Sequence, residues 1–225
     1  YAANGAVVNL ENVTVTDGRM NNPVNNQGGA GIFAAADGTI NVSGTSTITR
    51  NETSGNGGGI YVADKGTVTL SDGVTVTNNT AGNFGGGIAA ATQSSDKGGL
   101  TMTGNVTVTN NTATNGGSGM YVEKNAKAVV SGAVKVFDNK KGTNQSNVYL
   151  ANEATLDLSD TTVDAKIGIS ANPEVAYRLV SLPKDEYTIQ QTKNGDEKGW
   201  IDDCGTWDIR YMTYNNVPGL YLCYK

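Results

Sequence analysis

Short segments in which apolar and polar residues alternate run through most of the first two thirds of the chain. In the stretch that starts at Gly57 they are residues 60–62, 68–70 and 74–76. Alternation with a period of two is typical of a β-strand with one buried face. The pattern therefore predicts three short strands in this stretch, each with its apolar side chains turned inward.

The same pattern recurs along the chain at a nearly fixed interval. Glycine-rich strings lead into an apolar residue in all but the last unit, and the steps between these apolar residues are 28, 28, 32 and 28: Ile32, Ile60, Ile88, Met120 and Val148. Four extra residues within 92–97 explain the longer step. Units of this size that stack one on another, with every inward position apolar in each unit, predict a parallel β-helix.

The predicted fold class is all-β. We expect a right-handed, single-stranded parallel β-helix with three strands per coil of about 28 residues and about five to six coils, covering residues 1–169. From residue 170 onward both tryptophans and six of the ten tyrosines appear. Because an open sheet edge invites aggregation, residues 170–225 are predicted to be a small β-rich cap. Its hairpin would pair Trp207–Tyr214 with residues 220–224 through a turn at 215–219.

An asparagine column follows the same steps directly after the third strand of each unit: Asn51, Asn79, Asn111 and Asn139. Stacked asparagines at a tight corner can hydrogen-bond from coil to coil, and asparagine tolerates a left-handed backbone. We therefore predict a structural ladder in which these residues also form the corner. A row of amides that binds a ligand is the alternative.

Aromatic residues occupy the outward position that follows the inward apolar residue of the first strand. They are Phe33, Tyr61, Tyr121 and Tyr149, and the series is broken at Ala89. Rings in such a row can stack on sugars or anchor a protein partner, since they offer large, rigid contact area. Structural stacking under other parts of the protein is the alternative. For this row we predict that replacing Tyr61 and Tyr121 by alanine weakens any ligand binding and leaves melting almost unchanged.

Threonines occupy the outward positions of the third strand in three successive units: Thr47, Thr49, Thr75, Thr77, Thr107 and Thr109. Two hydroxyls per strand make a flat, regular array that resembles the Thr-x-Thr faces of ice-binding β-solenoids. Lys135 and Phe137 end the array. Threonine is also a good outward strand residue in general, so the array has a purely structural alternative.

The amino-acid composition excludes several classes of active site and disfavours some partners. The chain has no histidine, which excludes a Ser-His-Asp triad, a Cys-His pair and an HExxH zinc site. The repeat columns bring no recurring carboxylates together, so we predict no catalytic residue, no metal site and no cofactor. A net charge of −5 disfavours nucleic acid as a partner. No apolar run approaches the roughly 20 residues of a membrane span.

The two cysteines, Cys204 and Cys223, lie close together near the end of the chain. A disulfide in an exported protein is the favoured interpretation, and a pair of reduced, packed thiols is the alternative. Because the chain starts at Tyr1 and not at methionine, we interpret it as part of a longer protein.

The glycine-rich openings at residues 57–60 and 85–88, together with a closing Thr-x-Asn element, resemble the repeats of bacterial polymorphic outer-membrane proteins and related adhesins. The resemblance covers roughly residues 5–168. It departs from that family at residues 77–79 and 109–111, where Thr-Asn-Asn replaces the Phe-x-x-Asn element. It implies the right-handed β-helix of the pectin-lyase-like superfold, which hosts both enzymes and non-enzymatic adhesins.

These observations favour a non-enzymatic protein of the extracellular space or the bacterial cell surface. We expect an adhesin-like or spacer module whose outer face contacts a glycan or a protein on a host or neighbouring cell. A carbohydrate-active β-helix enzyme, either lyase or hydrolase, is the first alternative. Ice binding through the threonine face is the second.

Overall fold

The computed structural model of the 225-residue chain describes residues 1–91, 94, 98–151, 154–161, 165–171, 177–179, 200–202, 207–214 and 217–224. Across this part of the chain the regular structure is β apart from a short 3-10 turn at Val24–Asn26. Parallel strands stack into a β-solenoid of about five turns with roughly 28 residues each. The predicted fold class is therefore confirmed.

The three predicted strands of each turn form three columns. The first column is Ile32–Ala34, Ile60–Val62, Ile88–Ala90, Met120–Val122 and Val148–Leu150. The second is Val7–Glu11, Thr39–Ser43, Thr67–Leu70, Gly99–Thr103, Lys127–Gly132 and Thr155–Thr161. The third is Thr14–Thr16, Thr47–Thr49, Thr75–Thr77, Thr107–Thr109, Lys135–Phe137 and Lys166–Ala171. Every neighbouring pair within a column is parallel, as expected when equivalent segments of successive turns lie side by side.

A fourth, two-residue strand follows each of the first five strands of the third column, and the alternation pattern did not predict it. This fourth column is Arg19–Met20, Glu52–Thr53, Thr80–Ala81, Thr112–Ala113 and Lys140–Lys141, closed by the antiparallel strand Asn144–Gln145. Two residues are too few to show a periodicity, which explains why the sequence pattern missed it.

One apolar core fills the solenoid from end to end. Its largest fully buried side chains come from all three long columns: Ile40, Ile48, Ile60, Leu70, Ile88, Leu100, Met102, Met120, Leu150, Leu156 and Ile167. The strand register places apolar side chains of successive turns beside each other, for example Val42 beside Leu70 and Leu70 beside Met102. Branched, medium-sized side chains dominate because each inward side chain must pack against the side chain at the equivalent position of the turn before and of the turn after it.

The strand Lys166–Ala171 ends the regular stack in an unusual way. Its first residues pair with Lys135 and Val136 of the third column, and its last residues pair with Val148–Leu150 of the first. It therefore joins two sheets into one. Trp200–Asp202 adds a further parallel strand along its edge, at Ile167 to Ile169. The strand runs two residues past the domain boundary that we placed at residue 169.

The predicted C-terminal hairpin is present, with a shorter loop than expected. Trp207–Tyr214 pairs antiparallel with Val217–Tyr224, and Tyr214 lies opposite Val217. Residues 217–219, which we assigned to the turn, therefore belong to the second strand, since a two-residue connection suffices for a hairpin. Tyr177–Leu179 pairs with the same strand at residues 220–222. The disulfide between Cys204 and Cys223 stays a prediction, because Cys204 lies outside the described residues.

Candidate functional site

The row of Phe33, Tyr61, Tyr121 and Tyr149, which we call the aromatic stripe, lies outside the main core. It belongs to a second apolar cluster on the outer face of the first column. Tyr61 and Tyr121 lie in it with Ala63, Ala89 and Ala91, and Phe33, Phe84, Tyr149 and Ala151 pack against it. The ring centroids of Phe33 and Tyr61 are 5.3 Å apart and those of Tyr121 and Tyr149 are 5.9 Å apart. The sequence thus correctly placed the four aromatics in one row.

The break at Ala89 is bordered by an aromatic ring that comes from another part of the coil. Phe84 lies in the glycine-rich corner before Ile88, and its ring stacks on Tyr121 at a centroid distance of 4.5 Å. It also lies 5.8 Å from the ring of Tyr149. The small side chain of Ala89 leaves space on this face, and Phe84 packs against the same cluster. Sequence comparison between coils missed it because the equivalent corner residues are not aromatic.

The middle of the stripe is buried. Tyr61 is 4% exposed and Tyr121 is 9% exposed. Burial, and to a smaller extent the nearby carboxylate of Glu123, raise the pKa of the Tyr121 phenol to about 12. The same two causes raise the pKa of Tyr61. This burial argues against our expectation that both tyrosines can be replaced without a change in melting. We now expect the double replacement to lower the melting temperature, because it removes buried ring contacts.

Tyr1 adds an exposed ring to the stripe beside the half-buried Phe33. Tyr1 is 82% exposed, and its ring stacks on Phe33 at a centroid distance of 5.6 Å with the planes 23° apart. These two rings border a groove of about 380 Å³ that we call the aromatic groove. Its other lining residues are Met20, Pro23, Val24, Gln27, Gly29, Ala30 and Gly31.

The far wall of the aromatic groove is the insertion at residues 19–27. Val24 is 78% exposed there, although it is a large apolar side chain. Pro23 precedes the short turn Val24–Asn26, in which Asn25 has a φ of 53°. The sequence marked this stretch only as an interruption of the repeat. Because it occurs once in the chain, no periodicity could show that its side chains face the stripe.

The threonine array is larger than the sequence indicated. Thr14 and Thr16 lie beside Thr47 and Thr49 in register, so the array spans four turns with two threonines in each. Most of its side chains are partly or fully exposed, whereas Thr49 is 7% exposed. Lys135 and Phe137 follow Thr107 and Thr109 at its end, as expected. Ice binding by this array stays a prediction.

The asparagine ladder is a continuous column of buried amides. The Nδ2 of Asn51 donates to the Oδ1 of Asn79 at 3.0 Å, and Asn79 donates in the same way to Asn111 at 3.0 Å. The Oδ1 atoms of Asn79, Asn111 and Asn139 also accept the backbone N–H of the preceding ladder residue, for example from Asn51 to Asn79 at 3.0 Å. The second amide hydrogen of Asn79 is directed to the carbonyl of Ile48. These amides are engaged within the protein, which favours the structural interpretation over ligand binding.

The ladder residues are not the corner residues. The left-handed backbone is adopted one position earlier, at Arg50, Asn78, Asn110 and Asp138, with φ between 53° and 56°. Our assignment of that conformation to the ladder asparagines is therefore wrong. The exposed residue makes the turn, and the buried asparagine that follows it closes the hydrogen bonds of the corner.

The ladder also explains one set of glycines. A Cβ at Gly59 would lie 2.9 Å from the Nδ2 of Asn79, and a Cβ at Gly87 would lie 2.9 Å from that of Asn111. At the equivalent position in the last turn stands Asn147, whose Oδ1 accepts from Asn139 Nδ2 at 3.0 Å. The glycines make room for the next ladder asparagine, and Asn147 itself supplies the terminal amide.

No family model matches the chain, and comparisons with curated proteins and with solved structures give no match either. The β-helix is thus shown by the structure alone, and the resemblance to polymorphic outer-membrane proteins stays a prediction. Among the described residues, no group of three or more Asp, Glu or Cys side chains is placed to hold a metal ion. Within the same residues no helix has the length and hydrophobicity to cross a bilayer.

Proposed function

We propose that the chain is a non-enzymatic module of an extracellular or cell-surface protein, adhesin-like or a spacer, and that the aromatic groove binds a glycan. The observation that supports this best is the exposed Tyr1 ring, stacked on Phe33 beside an aromatic row whose middle is buried. An exposed ring at the end of a rigid stack offers a fixed surface for the C–H face of a sugar.

The composition of the groove suits a sugar. Tyr1 and Phe33 supply ring surface, Met20 and Val24 supply apolar contact, and the exposed amide of Gln27 supplies both a donor and an acceptor. Binding sites of this kind combine apolar walls with a few polar groups that fix orientation. The solenoid behind the groove is held by the ladder and the core, so the groove is presented on a rigid support.

The proposal is tested by the double variant Tyr1→Ala, Val24→Ser on an array of neutral, sialylated and uronate-containing oligosaccharides. Wild-type protein is expected to bind at least one class of glycan, and the variant to bind it about tenfold more weakly, because a stacked ring and an apolar wall are lost. Both side chains are largely exposed, so the melting temperature is expected to stay the same.

Val7→Ser is the matched control, because Val7 is 63% exposed and does not line the aromatic groove. It should bind like wild type. Equal binding by the double variant, or no binding of wild type to any glycan on the array, would contradict a glycan site here. Release of shortened sugar chains from a uronate-rich polysaccharide would instead show the enzyme that we placed as the first alternative.

A further inference from the structure

A second groove lies on the outer face of the fourth column and has a different chemical character. It encloses about 610 Å³ and is lined by Thr80, Ala81, Thr112, Ala113, Thr114, Lys141 and Gly142. We call it the lysine groove. The sequence pattern singled out none of these residues, since most of them lie on two-residue strands, which are too short to show a periodicity.

Hydroxyl groups and an ammonium group are aligned along this groove. Thr80 and Thr112 lie side by side with their Oγ1 atoms 3.1 Å apart. Lys140 is the next residue of the same column, beside Thr112. Lys141 reaches back along the groove, and its Nζ donates to the carbonyl oxygen of Asn115 at 3.3 Å. Both lysines are exposed.

The local charge is positive although the chain as a whole is acidic. The cations on the strands of the fourth column are Arg19, Lys140 and Lys141. Within the fourth column the carboxylate is that of Glu52, which lies beyond Thr80 and faces Arg19 at 3.9 Å. Asp138 precedes the ladder residue Asn139 at the exposed corner, outside the groove lining.

We propose that the lysine groove binds an anionic polysaccharide, a sugar chain that carries carboxylate or sulfate groups. The two lysines pair with the anionic groups, and the threonine hydroxyls hydrogen-bond the sugar hydroxyls along the column. None of the residues that line this groove is aromatic, so it offers no ring on which a nucleic-acid base could stack. The site is separate from the aromatic groove, and different variants test the two.

The test measures binding of polygalacturonate, dextran sulfate, neutral dextran and a single-stranded DNA oligomer at low and high salt. The variant Lys140→Gln, Lys141→Gln is compared with Lys124→Gln, Lys127→Gln. The second variant removes the same charge from two exposed lysines that do not line the groove, at and just before the second-column strand Lys127–Gly132. We expect wild type to bind at least one of the two anionic polysaccharides. The groove variant should lose about fivefold to tenfold in affinity, and the control variant should lose little.

Binding by wild type is expected to weaken as salt increases, because exposed charges are screened. The two polymers separate a carboxylate preference from a sulfate preference, and either preference supports the site. Equal loss in both lysine variants, binding of neutral dextran as strong as that of the anionic polymers, or no binding of either polyanion would overturn the proposal. DNA binding as tight as polysaccharide binding would overturn the assignment to a sugar chain.

Discussion

Asn79→Asp is expected to lower the free energy of unfolding by about 4 kcal/mol, because it leaves a charge in a buried site without its partners. The amide of Asn79 donates to Ile48 O and to Asn111 Oδ1, both at 3.0 Å, and the side chain is 0% exposed. A carboxylate keeps the two bonds that it accepts from Asn51 but cannot make the two donations. Two buried acceptors would then face a negatively charged oxygen.

The neighbouring residue provides a control with the same chemical change. Asn78 is exposed with a φ of 55°, and aspartate already occupies the equivalent corner at positions 17 and 138. Asn78→Asp should therefore change the stability by less than about 0.5 kcal/mol. Urea titration of both variants measures the difference. A similar small effect of the two substitutions would mean that the ladder does not hold the turns together.

Gly87→Ala is expected to cost about 3 kcal/mol, because the new methyl group has no room between two turns. Its Cβ would lie 2.6 Å from the carbonyl oxygen of Gly119 and 2.9 Å from the Nδ2 of Asn111. Both atoms belong to the next turn of the solenoid. The backbone would have to move away from the ladder, and the amide bonds from Asn79 to Asn111 would lengthen.

Gly142→Ala separates this steric effect from the cost of backbone conformation. Gly142 has a φ of 59° and an added Cβ there would meet no atom within 4 Å. Its replacement should cost only about 1 kcal/mol, the penalty for a left-handed alanine. Thermal melting of both variants provides the comparison. A Gly87→Ala variant no less stable than Gly142→Ala would contradict the close approach of the turns at Gly87.

The fold could be predicted from the sequence because its determinants repeat. Inward positions such as Leu70 and Met102 recur with the period, and so do the ladder asparagines. A residue that stacks on its own equivalent must satisfy the same environment in every turn, so the constraint is visible as a column. The position of the left-handed corner could not be read in this way. At Arg50 and Asn78 the corner is formed by residues that have little in common except exposure.

The candidate sites depend on features that occur once. The aromatic groove requires the insertion that carries Pro23 and Val24, and the stripe is completed by Phe84 from a corner. The lysine groove requires Lys141, which lies in the last strand of the fourth column. The strands of that column have two residues each and are too short to show an alternation of apolar and polar positions. The row of aromatics was predicted correctly, but the burial of its middle rings was not. Which rings are covered depends on aperiodic segments that pack over them.

Hydrogen exchange of asparagine side-chain amides, followed by NMR, tests most directly the claim that a buried amide column holds the turns in register. We predict slow exchange for Asn79 and Asn111, whose side chains are 0% exposed and hydrogen-bonded to the next turn. The side-chain amides of the exposed neighbours Asn78 and Asn110 should exchange completely before the first spectrum is recorded. Fast exchange at all four positions would contradict the ladder and the stacking that depends on it.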